Sequence, residues 1–140
     1  MDRSAASAGR QRVQQAFEAL HGFAPRFLGV REEMVHGWVS WNRRKCGKPR
    51  CRCARGELHE SLHFGTRDEG RYVHRGIEPE KLEGLRAATG RWREYREARA
   101  ELVKTFNRLL GEIEALEESL SVPWTEWIGG GERGGKEGER

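Results

Sequence analysis

Three cysteines within eight residues, Cys46, Cys51 and Cys53, followed by His59, constrain this 140-residue chain more than any other feature. Their number is odd and their spacings are too short for mutual bridging, so they do not make the disulfide framework of a small secreted domain. A structural metal needs four soft or borderline ligands at tetrahedral geometry, and three Cys with one His is an established set. Gly47 and Pro49 let the chain double back so that Cys46 meets Cys51 and Cys53. The spacing C-x4-C-x-C-x5-H predicts a structural metal, zinc in preference to iron, held by Cys46, Cys51, Cys53 and His59 in a reducing compartment. His63 is the alternative fourth ligand, and three reduced, unligated cysteines are the alternative to a metal. Redox catalysis is disfavoured because there is no C-x-x-C pair. No carboxylate is clearly placed as the base of an open catalytic zinc, Glu57 and Glu60 being the two at hand.

Charge concentrates in the same loop. The net charge of +4 conceals a division: residues 1–60 hold twelve Lys/Arg against six Asp/Glu, and residues 61–140 hold fourteen against sixteen. Arg43, Arg44, Lys45, Lys48, Arg50, Arg52 and Arg55 follow one another with no acidic residue among them. Such a block attracts a polyanion, most commonly a phosphate backbone, and helps to hold neighbouring thiols as thiolates. With Trp41 or Trp38 able to stack on an unpaired base, these cations are a candidate site for DNA or RNA. Charge alone describes a solvated loop equally well.

The flanking segments predict an α+β fold. Residues 1–9 are small and polar and are expected to fray. Residues 10–34 read as a short amphipathic helix, Gln11–Leu20, and a connector anchored by Phe23, Phe27, Leu28 and Val30. In the 35–77 module, Val35–Trp41 reads as a strand. Ser61–Gly65 and Arg71–His74 read as a hairpin around a longer loop, Thr66–Gly70. Residues 78–122 open with Glu78-Pro79-Glu80 as a long helix. Its apolar residues step by three or four, sustaining heptad a and d positions from Trp92 to Leu120 with Arg99 the only break. At 1.5 Å per residue it is about 60 Å long, more than a hairpin covers, so the surplus packs on the N-terminal helix, a partner or its own copy. Thr89-Gly90 is the expected kink. Residues 123–140 carry Trp124 and Trp127, then a tail of Gly, Glu, Arg and Lys that reads as disordered.

The run Lys45–His59, a hairpin containing Arg71-Tyr72-Val73, and Pro79-Glu80-Lys81-Leu82 opening a long helix resemble a family of short uncharacterised bacterial and archaeal proteins. That family is described as a domain of unknown function and often lies near transposases. The three Cys and His59 match position by position. Glu60-Ser61-Leu62-His63-Phe64 replaces the family's usual Gly-Pro and aromatic strand, so the resemblance implies no role for His63. It implies the fold and the metal set, and no activity.

No run approaches the roughly 18–20 apolar residues of a membrane span, and Met1-Asp2-Arg3-Ser4 lacks a signal-peptide pattern. A soluble cytoplasmic protein is therefore expected. No nucleophile, base or phosphate-cradling loop can be read, so no enzyme is expected. The expected function is a zinc-binding nucleic-acid accessory protein of a mobile-element or defence-type locus. The alternative is a protein-interaction module acting through the helix over residues 92–120, with the metal purely structural.

Overall fold

A two-residue turn fixes the register of the sheet. Strands β1 (Trp38–Arg44), β2 (His59–Asp68) and β3 (Arg71–Gly76) form an antiparallel sheet in the order β1-β2-β3. In the computed structural model, which describes residues 2–129, Glu69 and Gly70 join β2 to β3 at φ of 48° and 78°. Two consecutive positive φ values are what a tight type I′ hairpin requires, and its twist matches that of the strands. The longer loop expected over Thr66–Gly70 is thus a two-residue turn, with Thr66–Asp68 still paired to Arg71–Val73. At the other end β1 starts at Trp38 rather than Val35. Gly37 lies so close to β2 that an added Cβ would sit 2.4 Å from the Phe64 ring.

Pairing separates the side chains into two faces. Val39, Trp41, Leu62, Phe64 and Val73 share one, while Trp38, Ser40, His63, Tyr72 and His74 share the other. Helix α3 (Leu82–Leu120) follows the sheet. Val39 lines a cleft with Thr89 and Trp92, and Phe64 lines another with Leu85, so the first face is turned toward the N-terminal part of α3. Val35 N–H donates to the Ala88 carbonyl at 3.2 Å, and Arg91 Nε donates to the Glu33 carbonyl at 2.9 Å. Phe27 of the short α2 (Ala24–Leu28) meets Tyr95 edge to face at 5.1 Å, and Arg26 pairs with Glu101. These elements, Phe23–Leu102, make one compact unit.

The second unit combines Met1–Gly22 with Val103–Arg140. Its α1 runs Arg3–His21, beginning well before the expected Gln11, because Asp2 Oδ1 accepts from the Ser4 and Ala5 N–H groups at 2.9 and 3.1 Å. That cap satisfies donors the first turn would otherwise leave orphaned. The N-terminus expected to fray is therefore helical from Arg3. Ala6, Gly9 and Ala16 form the buried side of α1, and small side chains there allow close approach. A Cβ on Gly9 would lie 3.1 Å from Leu116 Cδ1, and Arg12 Nε donates to Glu112 Oε2 at 2.7 Å. The surplus length of α3 is thus partly covered by the chain's own first helix, antiparallel to it.

Helix α3 is uninterrupted through Thr89-Gly90, where a kink was expected. Thr89 Oγ1 donates to the Leu85 and Arg86 carbonyls at 2.8 and 3.2 Å. In its second half the shielded positions are Thr105, Leu109, Glu112, Leu116 and Ser119. This stripe keeps Leu109 and Leu116 of the expected heptad set, whereas Phe106, Ile113 and Leu120 of that set are left 49, 39 and 37 % exposed. Beyond the helix, Trp124 and Trp127 of the α4 segment (α4 being Thr125–Ile128) are exposed. The expected disordered tail, Gly129 apart, lies outside the described residues. Among those residues no helix is long and apolar enough to cross a membrane.

Candidate metal centre

The loop between β1 and β2 is closed by the sheet itself. Arg44 pairs with His59 as the last rung of the β1–β2 ladder, so Cys46, two residues past β1, faces the first residue of β2. Gly47 then turns the chain at φ 81°, a value that favours glycine. Cys51 N–H donates to the Lys48 carbonyl at 3.1 Å, and a 3-10 turn over Arg52–Arg55 begins with Cys51 as its N-cap. Ala54 N–H donates to the Cys51 carbonyl at 3.0 Å, which swings Cys53 back toward Cys46.

Turn and ladder together bring Cys46, Cys51, Cys53 and His59 into one cluster, with all four ligand atoms within 4.8 Å of one another. Cys46 Sγ lies 3.5 Å from Cys53 Sγ, and Cys51 Sγ lies 3.1 Å from His59 Nε2. A tetrahedral metal with sulfur bonds of about 2.3 Å holds its sulfurs about 3.8 Å apart. The two short contacts lie within about an ångström of that separation, as does the 4.8 Å limit of the whole cluster, so the set fits a metal ion with shifts of up to about 1 Å. Cys53 is 1 % exposed, whereas Cys51 and His59 are half-buried and Cys46 is exposed.

Backbone amides tune the thiols. The Lys48 amide, helped by the Cys53 thiol, holds Cys46 below the ordinary thiol range. The Cys53 amide and thiol do the same for Cys51. Cys53 itself lies above that range: the Cys46 N–H pulls it down, but burial and the adjacent Cys46 and Cys51 sulfurs outweigh that pull. Two of the three sulfurs are thus predisposed to the thiolate form in which cysteine binds metal.

His63, the alternative fourth ligand, is not in this cluster. Its ring stacks on His74 at 4.4 Å, and its Nε2 lies 2.8 Å from Ser61 Oγ. Of the cations singled out in the sequence, Arg43 is drawn to the helix side of the sheet, where its Nε lies 3.0 Å from Glu60 Oε1. Arg44, Lys45, Lys48, Arg50, Arg52 and Arg55 are all exposed, and none forms an ion pair with a described residue. Trp41 is 58 % exposed but sits on the opposite face from Trp38. Tyr72 and His74 were not singled out, because which rings neighbour one another depends on the β2–β3 register. The alternation of Arg71-Tyr72-Val73-His74 was the available signal.

A family model described as "Domain of unknown function (DUF6788)" matches residues 10–87, more than half of the chain. This span includes the whole sheet and the Cys/His loop and ends within α3. No curated protein and no solved structure matches the chain.

Proposed function

From the premise that this chain belongs to the family of the domain of unknown function DUF6788, we propose that it is a non-enzymatic, zinc-stapled nucleic-acid-binding module. Zinc suits the closed set of Cys46, Cys51, Cys53 and His59 because it accepts sulfur and nitrogen ligands without preference from d electrons. When bound it supplies no reaction and cross-links the loop that the β1–β2 ladder closes. Three thiolates, one neutral imidazole and a divalent ion carry a formal charge of about −1. The six exposed cations overcompensate it, leaving a positive loop whose shape the metal holds.

The observation that carries the reading is that those cations are free of acidic partners among the described residues while the loop bearing them folds back on a Cys/His cluster that could hold a metal. Phosphate oxygens are the groups that such a surface matches, and their binding releases counterions. Binding to random-sequence DNA or RNA should therefore weaken steeply with salt. Arg50→Glu combined with Arg52→Glu, both exposed and outside the metal set, should reduce affinity at least tenfold and flatten the log–log salt slope. Absence of binding to either nucleic acid at low salt overturns the proposal. A place in a mobile-element or defence-type locus belongs to the same proposal and is tested by what co-purifies at low salt.

A second reading rests on a different observation. Val103, Phe106, Leu110, Ile113 and Leu120 form an exposed apolar stripe on α3, at steps of three, four, three and seven. This favours self-association of α3, with the metal purely structural.

A further inference from the structure

The face of the sheet turned away from α3 bears a continuous series of rings. Trp38 of β1 lies against Gly65 of β2: a Cβ at Gly65 would come within 2.6 Å of the indole, so only glycine lets the ring rest there. Trp38 meets Tyr72 of β3 at 5.6 Å, Tyr72 follows His74 at 5.9 Å and 19° between ring planes, and His74 stacks on His63 at 4.4 Å and 5°. Large rings of this kind ordinarily turn inward. Here Trp38 and Tyr72 are 40 and 62 % exposed.

By register, every side chain on this face is neutral or basic, whereas Glu60 and Asp68 project from the helix side. Arg67 borders the series beside Tyr72, and Arg44 borders it where the sheet enters the metal loop. Trp38 stands at the edge of this face, where it also lines, with Val39, the cleft of about 370 Å³ against α3 that contains Arg86 and Arg93. Arg44 and Arg67 thus border an aromatic surface that by register carries no acid.

We infer that this face is a stacking platform for unpaired nucleic acid, with bases lying on the exposed Trp38 and Tyr72 rings, His74 backing Tyr72, and the backbone held by the flanking cations. The inference rests on the nucleic-acid reading above and names the form of the polymer. Bases in a duplex are already stacked on one another and offer no free ring face, whereas single strands offer one at every nucleotide. A basic groove with exposed aromatic rings is the arrangement that binds single strands with little sequence preference.

The test is fluorescence anisotropy of the zinc-loaded full chain with three labelled probes of equal phosphate count: a single-stranded oligonucleotide, the same strand carrying consecutive abasic sites, and a hairpin duplex. The single strand should bind at least tenfold more tightly than the other two. Tyr72→Ala with His74→Ala should remove most of that preference and leave the salt slope intact, since stacking involves no counterions. If all three probes bind alike in the wild type, or the double variant binds the single strand as wild type does, the platform is overturned while the phosphate-binding loop stands. If no probe binds at low salt, both readings fall. The abasic probe needs no altered protein, so a variant that folds poorly leaves the test intact.

Discussion

At the scale of single residues, a metal at this cluster would compete with protons for the same sulfurs, and the three cysteines would enter that competition from different positions. Cys53, buried and flanked by two sulfurs, lies above the ordinary thiol range, while Cys46 and Cys51 lie below it. In the metal-free protein Cys53 is therefore the thiol that most needs to lose its proton before a metal can bind. The sign follows: affinity for zinc rises with pH and falls on acidification, first through Cys53 and at lower pH through Cys46 and Cys51. Each thiol that must be deprotonated contributes about a tenfold change per pH unit below its pKa. Zinc titrations across pH should show this slope, and a weakly buffered indicator should register proton release. A flat profile, or a purified chain with no zinc that takes none up, speaks against a thiolate site. Cys53→Ser should abolish stoichiometric uptake. The cysteines were legible as a set from their spacing alone, because short turns make such neighbours meet. The choice between His59 and His63 was not, because it depends on Arg44 pairing with His59, a long-range fact that no local pattern contains.

At the scale of elements, glycines that look alike in the sequence differ in what surrounds them. Gly37 has φ of 151°, and an added Cβ would meet the Phe64 ring and the Gly65 carbonyl at 2.4 and 2.5 Å. Backbone strain and overpacking each cost about 1–3 kcal/mol, so Gly37→Ala should destabilise the chain by about 2–6 kcal/mol. Gly84 lies in α3 with nothing within 4 Å of its missing Cβ. There Gly84→Ala should instead stabilise, by up to about 1 kcal/mol. Urea unfolding of both variants, zinc-saturated, checks the pair; equal midpoints would contradict the packing of β1 against β2. The long helix was legible because its apolar steps persist over many turns. Its buried side was misjudged at Phe106, Ile113 and Leu120, since the helix it packs on has Ala6, Gly9 and Ala16 on its own buried side, and close contact across small residues selects a different stripe. The hairpin strands were read too short for a related reason. Thr66, Arg67 and Asp68 look like loop residues, and only the positive φ at both Glu69 and Gly70 reveals that the turn needs no more than two.

At the scale of the whole molecule, the stripe of Val103, Phe106, Leu110, Ile113 and Leu120 is left uncovered by α1, and the charges beside it indicate what can cover it. Residues 96–108 hold Arg96, Arg99, Lys104 and Arg108 against Glu97 and Glu101, and residues 112–118 hold Glu112, Glu114, Glu117 and Glu118 with no cation. A second copy laid antiparallel sets the basic stretch of each helix against the acidic stretch of the other, whereas a parallel copy aligns like with like. A dimer formed this way carries two basic loops and two aromatic faces without any new contact to nucleic acid. The second loop then engages a long strand at the effective concentration its tether sets, and avidity rises by orders of magnitude only where one strand reaches both. Phe106→Asp with Leu110→Asp should therefore convert a dimer to a monomer in sedimentation at concentrations on the order of 100 µM. The same variant should bind a long single strand at least tenfold more weakly while binding a short oligonucleotide unchanged. Equal weakening on both lengths would place these two residues in the binding surface itself. A wild type that sediments as a monomer throughout would leave each chain to bind nucleic acid alone.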